Sequence, residues 1–272
     1  MAQTDFKNVP REIKEPAPGT PVLDWWDGIY DKVFIALNPF VRWPVVESVV
    51  ANKVTVIDGK KYVTASVSGA DGFDEDQATH AKKYGETTRW SDVHAAVCPE
   101  VPFEIFAQCV WISSCLGRRK DVPSEIQEAI GDYCFTHALF LPQDDIPEPA
   151  LEPQIGRFLA ALDITSVDVY DEFRANVFRC GVEAFSQDSP KIRLPQAITR
   201  DTYYCIHSKE AGLVMTWEFD GVEAFIGLTK NALTNARPED YFEGFYADAN
   251  TYSDWANPLD FCPRKPPSKP FS

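Results

Sequence analysis

The chain has 272 residues, is 44% hydrophobic and 13% aromatic, and carries a formal net charge of −15. That apolar content is enough for one sizeable core and excludes a disordered chain. The acidic balance repels phosphate backbones, so nucleic acid is not an expected partner. No apolar run reaches the roughly 18 residues of a membrane span.

Residues 1 to about 22 are rich in proline (Pro10, Pro16, Pro18, Pro21) and charge, and read as an irregular arm. The first residues are polar and lack an apolar signal region, so neither a secretory signal nor a mitochondrial presequence is expected. The seven cysteines form no C-x-x-C pair. Reduced thiols follow, and with them a cytoplasmic localisation.

Trp25, Trp26, Tyr30, Val33, Phe34 and Ile35 predict a short helix around 24–37, with another around 44–52. Residues 53–69 differ: Val54, Val56, Tyr62 and Val63 surround Asp58-Gly59, a hairpin signal. From about 76 onward a helical period prevails. Phe103, Phe106, Ala107, Val110, Trp111 and Ser114 fall on one face of a helix over 102–117, broken by Gly117-Arg118-Arg119-Lys120. Pro123-Ser124-Glu125 starts the next helix, whose stripe of Ile126, Ile130, Tyr133, Cys134, His137 and Leu141 ends at Pro142. Further helices are expected over 168–186, 199–218 and 224–233. Six prolines after residue 237 predict an extended tail.

The expected fold is therefore mainly α, with a small N-terminal hairpin. The boundaries are 1–75 for arm and hairpin, 76–235 for the helical core and 236–272 for the tail, within a single domain. The alternative is an α+β fold in which the hairpin joins a larger sheet.

Asp144, Asp145 and Glu148 stand at the end of the apolar helix. Spacing 0 and +4 shares a helix face, and two hard carboxylates there suit Mg²⁺, which keeps sites for substrate phosphates. The bland alternative is a solvated loop between Pro142, Pro147 and Pro149. Cys134 and His137 form a C-x-x-H pair without the further ligands that zinc needs. P-loop, G-x-G-x-x-G and G-x-S-x-G motifs do not occur.

The stretch from Ser124 to Asp144-Asp145-Ile146-Pro147-Glu148 resembles the aspartate-rich helix of class I terpene synthases, which ends in DDxx(D/E), and most nearly the trichodiene synthase group. The resemblance covers about residues 100–220. It implies a helical bundle of the isoprenoid synthase type. It also implies Mg²⁺ held by Asp144, Asp145 and Glu148, and a prenyl diphosphate substrate, farnesyl diphosphate first. The activity implied is that of a lyase, which ionises and cyclises that substrate. Arg174, Arg179 and Lys209 are then the candidates to stabilise the leaving diphosphate. Phe106, Trp111, Tyr133 and Trp217 are candidates to line the pocket and face carbocations. The family's second metal motif has no counterpart here, and His207 and Lys209 lie where its diphosphate-sensing arginine would fall. The alternative is a non-catalytic helical protein that binds an apolar ligand or a protein partner; a homodimer is open under either.

Overall fold

Strands occupy much of what the sequence predicts as helix in the second half of the chain in the computed structural model, which describes residues 9–42, 51–57, 60–66, 82–115, 122–194, 202–256 and 263–268. In chain order the helices are α1 (Val22–Trp25), α2 (Trp90–Val97), α3 (Phe103–Cys115), α4 (Ser124–Thr136), α5 (Glu152–Ala161) and α6 (Lys230–Asn235). The strands are β1 (Lys32–Leu37), β2 (Phe40–Arg42), β3 (Ala51–Ile57), β4 (Lys60–Ser66), β5 (Glu86–Thr88), β6 (Leu139–Phe140), β7 (Ser166–Tyr170) and β8 (Val177–Gly181). The last four are β9 (Cys205–Ser208), β10 (Leu213–Trp217), β11 (Glu223–Leu228) and β12 (Gly244–Tyr246).

The main sheet has seven strands in the order β12-β1-β11-β10-β9-β7-β8, each paired antiparallel to its neighbours. Side chains alternate across it. One face presents Phe34, Ala36, Val167, Val169, Ile206, Met215 and Ile226 to α5 and to a 3-10 turn over Val182–Phe185. The other face presents Val33, Ile35, Cys205, Val214 and Phe225 to the arm, which covers them with Ile13, Val22 and Trp26. A third cluster gathers α2, α3 and α4 around Leu37, Phe40 and Trp90, beside a small sheet ordered β5-β2-β6.

The hairpin expected over 53–69 corresponds to β3 and β4, which pair Val54 with Val63; its turn, Asp58-Gly59, lies outside the described residues. So does the basic turn at 117–120. The helix expected over 102–117 is α3, and the start of the next one at Ser124 is the start of α4. That helix ends earlier than its apolar stripe suggests. Ala138 takes a positive φ of 52°, and the next two residues leave the helix to pair with β2 as β6.

The helical bundle is overturned. The segment 168–186 is β7, β8 and a 3-10 turn; 199–218 contains β9 and β10; 224–233 is split between β11 and α6; and 24–37 begins in α1 and a turn and ends as β1. Two physical causes account for this. Strands β10 and β11 are buried along their whole length, and an unbroken apolar run carries no period that separates a buried strand from a buried helix. In β7, burial does alternate, with Val167 and Val169 inside and their neighbours half-exposed, a period of two that β-branched residues favour. With those helices replaced by a sheet, the resemblance to class I terpene synthases has no architecture to rest on. The fold is α+β.

Candidate functional site

The acidic cluster is a knot in the chain rather than the rim of a cavity. Asp145 is buried and takes φ 65°. Its Oδ1 accepts from the backbone N–H of Asp220 at 2.6 Å, and its own N–H donates to the carbonyl of Gly221 at 2.9 Å. The loop is thereby tied to the β10–β11 turn. Asn38 ties it to the β1–β2 turn as well, donating through Nδ2 to the carbonyls of Gln143 and Ile146 at 2.7 and 2.9 Å. Glu148 is fully buried, accepts from the N–H of Gln143 at 3.2 Å and lies 3.6 Å from the Lys82 ammonium. Burial pushes its carboxyl above the usual range, against the pull of Lys82. Among the described residues no group of three or more His, Cys, Asp or Glu side chains is arranged to hold a metal ion.

The aromatic candidates do not converge. Phe106 is buried edge-on to Trp90, and Trp111 donates through Nε1 to the carbonyl of Asp220; both belong to the helical cluster. Tyr133 stacks on His137, ring centroids 4.0 Å apart. Trp217 sits in the core of the main sheet and donates to Asn38 at 3.3 Å.

The arm runs across the second sheet face and opens a cleft on either side. Four consecutive carbonyls hold it in place. Trp26 Nε1 donates to Arg11, Tyr30 OH to Glu12, Arg174 Nε to Ile13 and Trp25 Nε1 to Lys14, all between 2.9 and 3.1 Å. Each such bond contributes about 1 kcal/mol. The cleft on one side encloses about 320 Å³, lined by Glu15, Arg174, Tyr204, Trp217 and Phe219 among others. Two candidates, Arg174 and Trp217, meet there. Yet Arg174 spends all five donors on protein. Besides Ile13 it reaches the carbonyls of Asp171 and Glu172, Thr216 Oγ1 at 2.8 Å and Glu15 Oε2 at 3.0 Å. Its charge is committed to holding the arm.

The cleft on the other side encloses about 290 Å³, lined by Glu12, Gly28, Ile29, Tyr30, His207, Lys209, Gly212 and Thr229. Its floor follows from the register of the sheet. Arg179, Asp168, His207, Val214 and Gly227 are successive cross-strand partners over β8, β7, β9, β10 and β11. The Gly227 position has no room for a Cβ, which would meet the Tyr30 ring at 2.6 Å; the missing side chain lets Tyr30 lie on the sheet and form one wall. Gly212, at φ 67°, turns the chain between β9 and β10 and lets Thr229 close in.

His207 is only 8% exposed, and among the described residues its imidazole makes no hydrogen bond to protein. Burial lowers its pKa below 6.5, partly offset by Asp168, Glu12 and Glu210 and reinforced by Lys209, so the ring is neutral at pH 7. A neutral imidazole offers one donor and one acceptor. Asp168 itself is bonded on its other side, accepting from Arg179 at 2.9 Å. Arg179 thus stands two strands from His207 and outside the cleft, whereas Lys209 is at its rim. Burial also pushes the Tyr30 phenol up, keeping it a donor to the arm. Sequence reasoning did not assemble Glu12, Tyr30 and Thr229 with His207, because only the sheet register and the course of the arm bring them together.

One family model, described as Protein of unknown function (DUF2711), matches residues 18–257. No curated protein and no solved structure matches the chain. The family match and the sheet together replace the terpene synthase assignment and its attributes of lyase, helical bundle and metal-binding protein. No helix among the described residues is long and apolar enough to cross a membrane.

Proposed function

We propose that this chain, which belongs to the DUF2711 family, binds a small polar molecule in the cleft between its N-terminal arm and the main sheet, with His207 as the central recognition group. The observation that carries this is the imidazole itself: nine-tenths buried, lining a cleft, and unbonded to protein among the described residues. The ring nitrogens are not sealed from solvent, so a ligand in the cleft can take the hydrogen bonds that water would otherwise make to them. The volume of about 290 Å³ is at the small end of the range for ligand pockets.

The lining argues for a polar ligand rather than a hydrocarbon chain. Glu12, His207, Lys209 and Thr229 supply charge and hydrogen-bonding capacity, while Tyr30 and Ile29 supply the apolar wall. A prenyl chain would strand these polar groups.

A thermal-shift screen of small polar metabolites against wild type and His207→Phe tests the proposal. Compounds that stabilise wild type should leave the variant unmoved. Equal stabilisation of a folded variant would place the ligand elsewhere.

A further inference from the structure

Three ionisable side chains around the His207 cleft make no hydrogen bond or ion pair to protein among the described residues: the half-buried Glu12 carboxylate on the arm, the exposed Lys209 ammonium after β9 and the buried His207 imidazole on the floor. Glu12 and Lys209 are opposite in charge, yet no ion pair joins them. We infer that the occupant is a small zwitterion, carrying an ammonium and a carboxylate in one molecule; this rests on the cleft being the ligand site.

A ligand with one charge is attracted by one of these groups and repelled by the other. A zwitterion laid across the cleft meets Glu12 with its ammonium and Lys209 with its carboxylate, two charge-assisted contacts of matched sign. The neutral imidazole fits the same ligand from below. Its unprotonated nitrogen accepts from the ammonium or its N–H donates to the carboxylate. The other charged groups that face His207, Asp168 and Glu210, add negative charge on the ammonium side of the balance. Asp168 is already engaged by Arg179 at 2.9 Å. The cleft of about 290 Å³ has room for a molecule of amino-acid size.

Isothermal titration with glycine, β-alanine and γ-aminobutyrate spans three charge separations; acetate and methylammonium serve as single-charge probes. At least one zwitterion should bind about tenfold or more tighter than both single-charge probes, equivalent to about 1.4 kcal/mol. Glu12→Gln should erase its advantage over acetate, and Lys209→Gln its advantage over methylammonium. A single-charge probe that binds as tightly as every zwitterion, variants that leave the preference intact, or no binding of any zwitterion overturns the inference. The cleft reading fails separately. If acetate or methylammonium binds wild type as tightly as every zwitterion and is lost in His207→Phe, the cleft stands and the zwitterion does not; if binding survives His207→Phe, the cleft itself is wrong.

Discussion

Asp168 is the direct cross-strand partner of His207, on the neighbouring strand of the main sheet. The carboxylate favours the protonated ring, whereas burial favours the neutral one, and burial is the larger effect. The expected His207 pKa is therefore below 6.5, and Asp168→Asn should lower it further by removing the one cross-strand anion. Histidine ring resonances followed by NMR over pH 4–8 give both values. Because the folded pKa is depressed, the stability His207 contributes is present above pH 6.5 and lost as pH falls through the folded value.

Glu223 titrates in the opposite sense. It is buried, accepts from the N–H of Val222 at 2.8 Å and from Trp255 Nε1 at 3.0 Å, and burial raises its pKa from 4.5 to about 7 despite both bonds. Glu218, its neighbour across the β10–β11 hairpin, is raised as well, by burial first and by Glu223, Glu15 and Asp254 next. The folded state therefore holds protons that the unfolded state releases. Glu223 stabilises most below pH 4.5, and its contribution fades as pH rises through 7, a span of about 3 kcal/mol. Urea unfolding between pH 5 and 8 should show stability falling with pH, and Glu223→Gln should flatten that slope.

Arg174 is expected to be a fastening residue. Its side chain is 4% exposed and joins the arm to the β7–β8 turn and to β10 through five donors. Arg174→Leu should cost about 3 kcal/mol or more, because it orphans several buried acceptors at once. Arg174→Lys should recover little, since one ammonium cannot reproduce the planar fork. Denaturant midpoints measure both, and limited proteolysis should show the arm cleaved first in the leucine variant.

Asp145 should behave as a turn residue. Asp145→Ala removes the acceptor for Asp220 and places alanine at φ 65°, so a loss of about 2–3 kcal/mol is expected. Asp145→Asn should be milder, since asparagine tolerates that conformation. Added Mg²⁺ should shift neither midpoint; a Mg²⁺-dependent gain in wild type alone would restore the metal reading.

Legibility in the sequence tracked how local the cause was. Helix α3 was readable because Phe106, Ala107, Val110 and Trp111 recur at helical spacing and are buried along a continuous helix. The pairing of β3 with β4 was readable because Asp58-Gly59 and the Val54, Val56, Tyr62 and Val63 around it are contiguous in the sequence. Strands β10 and β11 were not, since burial on both faces erases the period of two that would have marked them. The acidic cluster drew notice for its composition, but its role depends on Asn38, 105 residues before Gln143, and on Asp220, 75 residues after Asp145. His207 and Lys209 were visible as a pair; Glu12, Tyr30 and Thr229 reach them only through the sheet register and the course of the arm.

The most direct test of the central claim is a crystal structure of the protein grown with its tightest-binding small polar ligand. Ligand density between Glu12, His207 and Lys209, with a hydrogen bond to the imidazole, is the predicted result. Ligand density in the opposite cleft beside Arg174 and Trp217, or elsewhere with the His207 cleft lacking it, would contradict the account.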